Sequence, residues 1–140
     1  MLLLTVAACR PAPPPPTPAA VHVVGTDYAF TMQDSLPAGP TVVTFENRGT
    51  HKHEMVFVRL KPGVPPRVAA DSISRGARTN ALRATGSAVL FANPGERNDV
   101  VSLRLTLTSG DHWVVVCQFA DSAGAPTHNT LGMFKVVTVP

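Results

Sequence analysis

Apolar and polar residues alternate with a period of two along most of this chain, and clusters of turn residues interrupt the alternation every few positions. Val101, Leu103, Leu105 and Leu107 alternate with Ser102, Arg104 and Thr106, the pattern of a strand with one face on a core and the other in water. The same pattern predicts a first strand over 21–26 and 28–32, with an irregularity at Gly25 to Asp27, and a second over 41–47 after the turn Leu36-Pro-Ala-Gly-Pro40. Beyond Asn47-Arg-Gly-Thr50, Glu54 to Leu60 forms a further strand, and 87–91 a short apolar one stopped by Asn93-Pro-Gly95. Trp113-Val-Val-Val-Cys117 is apolar throughout, which predicts a strand buried on both faces and lying next to strand 101–107. Met133 to Val139 closes the chain as another strand. One segment departs from period two: Ala69, Ile73, Ala77 and Ala81 recur every four residues, and Pro66 suits a first helical turn, so a short helix is expected within 66–83. Short strands joined by Gly and Pro turns predict an all-β chain, a two-sheet Greek-key β-sandwich with one short peripheral helix.

Composition narrows the class. A chain of 140 residues has room for one domain with a real core, and its 14 prolines and 10 glycines argue against a helical bundle. No apolar run reaches the roughly 20 residues of a membrane-spanning helix. A net charge of +3 with one Trp and one Tyr lacks the concentrated basic face and stacking aromatics of a nucleic-acid binder, so nucleic acid is not an expected partner. Arg59, Lys61, Arg67, Arg75, Arg78 and Arg83 form a basic stretch, either a solvated face or one that meets an acidic partner or anionic lipid.

The N-terminus reads as an address. Met1-Leu-Leu-Leu-Thr-Val-Ala-Ala-Cys9 resembles the lipobox of a bacterial lipoprotein, with 1–8 as signal segment and Cys9 as the lipidated residue. Arg10-Pro-Ala-Pro-Pro-Pro-Pro-Thr-Pro18 then gives an extended polyproline linker within 9–20, ahead of a domain over 21–140. The expected location is the bacterial cell envelope, exported and lipid-anchored, facing the periplasm or exterior, with membrane contact through the lipid only. In such a compartment Cys117 would be the one remaining thiol, explained as an inert core cysteine, a disulfide partner of Cys9 or a metal thiolate.

The residues around Cys117 carry the chemistry. Gly110-Asp-His-Trp-Val-Val-Val-Cys117 precedes a polar loop and then Thr127-His-Asn-Thr-Leu-Gly-Met133, while Asn47-Arg-Gly-Thr-His-Lys-His-Glu-Met-Val-Phe57 sets a histidine at a strand start. In this arrangement the sequence resembles the cupredoxin, or blue type 1 copper, family over residues 21–139. The resemblance implies one mononuclear copper held by His53, Cys117, His128 and Met133. Thiolate and thioether suit Cu(I), imidazole suits Cu(II), and a trigonal His₂Cys site with a weak axial Met serves both states without large movement. His51 stands two residues earlier on the same side and competes for the first position, which the resemblance gives to His53. Two features depart from the family pattern: ten residues separate Cys117 from His128, and Glu54 follows the first histidine where electron carriers often have an Asn that ties the ligand segments together. His22 and His112 have no place in the pattern.

The resemblance implies an envelope-anchored blue-copper protein acting in electron transfer, not an enzyme. A redox protein would dock near His128, where Phe119, Pro126, Leu131 and Met133 would make an apolar collar. A copper-binding and delivery protein and a metal-free binding module are the alternatives. The single His51-Lys52-His53, with no paired cysteines, nucleophilic triad or phosphate loop, gives no footing to a catalytic reading.

Overall fold

Period two in the sequence is period two in burial. In β1 (Ala19–Thr26) Val21 and Val23 are buried between more exposed neighbours, and in β3 (Gly39–Asn47) Thr41, Val43, Phe45 and Asn47 are buried while the residues between them are not. The structure, a computed structural model, describes residues 14–140, so the expected signal segment and the lipidation site at Cys9 lie outside the described residues. β1 runs parallel to β3, with Val21 beside Val43 and Val23 beside Phe45. The short β2 (Ala29–Thr31) folds back antiparallel on the end of β1, and β6 (Arg97–Leu107) pairs antiparallel with the other edge of β3, giving the order β2-β1-β3-β6. The second sheet has the order β5-β4-β7-β8, built from β4 (His53–Leu60), β5 (Arg83–Ala92), β7 (His112–Val116) and β8 (Phe134–Thr138), all antiparallel. Phe45, Phe57, Leu90, Leu107, Val115 and Val137 fill the space between the sheets. The expected all-β sandwich is the observed architecture.

β7 is buried on both faces because two cores meet on it. Trp113 and Val115 point into the space between the sheets. Val114 and Val116 point outward into a second, smaller core with Val56, Val58 and Leu60, covered by Ala69 and Ile73 of α1 (Pro66–Ser74). The helix is shorter than the four-residue spacing suggests. Gly76 takes a left-handed backbone (φ 86), Arg78 is extended, and Thr79–Ala81 makes a separate 3-10 turn, so Ala77 and Ala81 lie outside α1. Two buried helix positions suffice to cover Val114 and Val116. Among the described residues no helix is long and apolar enough to cross a membrane.

The expected neighbours 101–107 and 113–117 do not pair. β6 and β7 belong to opposite sheets, and the turn through Gly110 (φ 86) carries the chain from one to the other. Alternation fixes which face of a strand is buried, whereas its lateral neighbour depends on where the connection leads. In the basic stretch, Arg59 pairs with Asp111 at 2.8 Å and the Lys61 amine donates to the Ala81 carbonyl at 2.9 Å, while Arg67, Arg75 and Arg78 are exposed. His22 is an exposed side chain bonded to Thr44 and Glu46.

Candidate metal centre

His53 opens β4, and Cys117 follows the last residue of β7. These strands pair antiparallel with Val56 opposite Val116, so the register carries Cys117 back alongside the first residues of β4. The Glu54 N–H points at Cys117 Sγ from 3.4 Å. His128 arrives from the loop beyond Cys117: its Nδ1 stands 3.3 Å from Cys117 Sγ and 3.1 Å from His53 Nδ1, and the remaining side of the triangle, Cys117 Sγ to His53 Nδ1, is 4.0 Å. All three residues are fully buried. Among the described residues this is the one cluster of His, Cys, Asp and Glu donors close enough together to hold a metal ion.

The ten-residue loop does not separate its ends, because it doubles back. The His128 N–H donates to the Phe119 carbonyl at 2.7 Å, and the loop between them turns at Ser122 to Ala125. Beyond His128 the chain closes again: the Met133 N–H donates to the His128 carbonyl at 2.8 Å, and the Met133 carbonyl accepts the Cys117 N–H at 3.1 Å. Gly132 makes this closure with φ 111, a backbone region that side chains avoid. Met133 is fully buried, and its methyl group lies 3.3 Å from where a Cβ on Gly25 would stand. His51 stays outside the cluster, half-buried at the rim, with Nδ1 3.4 Å from Asp27 and Nε2 3.7 Å from Asp121.

Burial dominates the electrostatics of the cluster. It pushes the Cys117 thiol up to about 11, against the opposing pull of the Glu54 and Phe119 amides. It also lowers His53, so that ring is held neutral, with Asp27 opposing the shift. A neutral imidazole is a ligand, and a thiol that gives up its proton only to a strong competitor binds metal with proton release.

Several supporting residues carried no periodic signal in the sequence. Glu54 takes over the tie expected of an Asn: its carboxylate accepts the Gln118 N–H at 2.9 Å. Asn47, fully buried at the end of β3, donates to the His51 and Ala92 carbonyls and accepts the Gly49 N–H, fixing the loop that leads into His53. Asp27, Tyr28 and Asp121 close the outer side of the two imidazoles. The apolar surface nearby differs from the expected collar. Leu131 is exposed and Phe119 stacks on the exposed ring of Phe91 at 5.8 Å, but Met133 is buried and forms no part of it.

No sequence-family description and no curated protein matches the chain by sequence. Solved structures match it by shape. The dithionite-reduced auracyanin from Roseiflexus castenholzii is 21% identical, with a TM-score of 0.55 over 87% of this chain and 97% of that one. Auracyanin B is 23% identical, with a TM-score of 0.55 over 89% and 91% of the two chains. Reduced rusticyanin is 20% identical, with a TM-score of 0.51 over 89% and 81%. The chain has the cupredoxin fold. Within that fold the cluster of His53, Cys117 and His128 stands at one pole, at the start of β4 and just beyond the end of β7. The rest of the cupredoxin sandwich acts as the frame that sets their separation.

Proposed function

We propose that this protein is a mononuclear blue-copper electron carrier of the cell envelope. The observation that carries the reading is the convergence of two imidazole Nδ1 atoms and one thiol sulfur, all buried, within 4.0 Å of one another. The donor chemistry fits copper: two imidazoles and a thiolate as the trigonal set, with the Met133 thioether as the weak axial donor. Copper bound there would supply one-electron chemistry between Cu(II) and Cu(I). The chain's own residues do the rest. His53 and Cys117 are fixed by paired strands, His128 is fixed by a closed loop, and full burial keeps water out, so that little rearranges when the charge changes.

The same rigidity favours electron transfer over copper delivery, because a donor site needs ligands that open to a recipient and none of these three touches solvent. It also favours a carrier over an enzyme, since a substrate has no open ligand position to reach. A redox protein would dock at this pole, over the Phe91 and Phe119 rings and Leu131. Export and lipidation at Cys9 rest on the lipobox-like segment and the proline-rich linker after it. Cys9→Ala should then move the protein from the membrane fraction to the soluble one.

Titrating metal-free protein with Cu(II) while recording visible and electron paramagnetic resonance spectra tests the central claim. One equivalent should give an intense visible charge-transfer band and raise the melting temperature. A parent protein that neither colours nor gains stability would be a metal-free binding module instead.

A further inference from the structure

Both imidazoles meet a carboxylate on the side facing away from Cys117. His128 Nε2 lies 2.8 Å from Asp121 Oδ1, and His53 Nε2 lies 3.3 Å from Asp27 Oδ1. Each carboxylate is itself held. Asp121 accepts the Tyr28 hydroxyl through Oδ2 at 2.7 Å. Asp27 accepts the Thr50 hydroxyl at 2.7 Å, the Thr50 N–H at 2.9 Å and the His51 N–H at 3.3 Å. With the Tyr28 and Thr50 hydroxyls donating to these carboxylates, each carboxylate stands as an acceptor toward its imidazole, so each Nε2 carries the ring hydrogen and each Nδ1 turns its electron pair toward Cys117. Two acceptors 3.1 Å apart, facing a sulfur, make a seat for a cation.

Tyr28 is held in this role against its backbone preference. It has φ 66, a left-handed backbone that bulky residues rarely adopt, and such strain persists where the surroundings over-determine it. Its ring lies edge-on to His128 at 5.1 Å and stacks on His51 at 5.9 Å.

We propose that Asp121, held by Tyr28, and Asp27, held by Thr50, are positioning residues of the metal centre that lock both ligand rings with Nδ1 toward Cys117 and set negative charge against the oxidised ion. The redox half of this rests on the blue-copper reading; the ring-locking half does not.

Nitrogen NMR of ¹⁵N-histidine-labelled, metal-free protein, recorded above the ordinary histidine range, reads the rings directly. In the parent, His53 and His128 should each show a bare Nδ1 and a protonated Nε2. In Asp121→Asn the His128 ring should become a mixture of tautomers, because an amide both donates and accepts; Asp27→Asn should do the same to His53. With copper bound, each variant should lose about tenfold or more in Cu(II) affinity and less in Cu(I) affinity. The potential rises by about 59 mV for each tenfold change in that ratio. Tyr28→Phe, which keeps both carboxylates, should move the same way by less, and it carries the test if Asp121→Asn does not fold. Parent rings bearing the hydrogen on Nδ1, or variants with the parent's tautomers and potential, would overturn the proposal. A parent that binds no copper would sink the blue-copper reading and leave the ring-locking result to stand or fall on the NMR alone.

Discussion

Glu54 grips the backbone of Gln118: its carboxylate accepts the Gln118 N–H at 2.9 Å, just past the cysteine whose sulfur receives the Glu54 N–H. One residue thus joins the start of β4 to the end of β7 through both its backbone and its side chain. Glu54→Ala leaves a part-buried N–H without its partner and should destabilise the protein by roughly 1–3 kcal/mol in urea denaturation. Glu54→Gln keeps an acceptor in place and should cost clearly less. Equal losses in the two variants would assign the effect to charge rather than to the tie.

Cys117 and Met133 should respond differently to substitution. Cys117→Ser removes the thiolate whose charge transfer to copper gives a blue site its colour, so the colour should vanish while the nearly isosteric side chain leaves the sandwich folded. Met133→Leu preserves apolar volume and removes only a weak axial donor, so copper and colour should persist while the potential rises. Visible spectra and voltammetry of the two variants check both outcomes.

Gly49 is a matter of space rather than backbone conformation. A Cβ there would collide with Asp27 Oδ1 and stand 2.9 Å from His53 Nε2, inside the contact between them. Gly49→Ala should therefore cost roughly 1–3 kcal/mol in thermal unfolding and lower copper affinity. Gly86→Ala, at a position with open space, serves as the control and should leave copper binding unchanged.

The metal-free protein should be most stable between about pH 6.5 and 9. Burial raises the Cys117 thiol from 9.0 to about 11, so the folded chain holds that proton longer than the unfolded one; stability is full below pH 9 and falls toward pH 11, by on the order of 2 kcal/mol. His53 is shifted the other way, so the unfolded chain takes up its proton first and stability declines as pH drops below 6.5. The lowered carboxyls of Asp27 and Asp121 extend the loss on further acidification. Chemical denaturation across this range measures the dome. Cys117→Ser should flatten its alkaline side, and a parent that gains stability above pH 9 would contradict the assignment.

The strands were legible because burial on one face leaves a period-two record, as in Thr41, Val43, Phe45 and Asn47, and burial on both faces leaves an unbroken apolar run, as in β7. Sheet membership left no such record: nothing in 101–117 says that the turn at Gly110 changes sheets. His53, Cys117, His128 and Met133 stood out because their residue types are scarce and their order matches a known pattern. Asp27, Tyr28 and Asp121 did not, since an acidic residue in a polar loop looks the same whether it faces water or an imidazole. The ten-residue Cys117 to His128 loop departs from the family pattern, and it is the segment that carries Asp121 to His128.

Asn129, the residue after His128, is buried and donates to the Ile73 carbonyl in the last turn of α1 at 2.7 Å. On the neighbouring residue, the Thr130 methyl stands 3.2 Å from where a Cβ on Gly76 would be, just beyond the helix end. The helix terminus and the ligand loop therefore share a buried hydrogen bond that neither can open without breaking, so their local stabilities are coupled through it. Amide exchange in the last turn of α1 should slow when the ligand loop is stilled by a bound metal, even though no helix residue belongs to the ligand cluster.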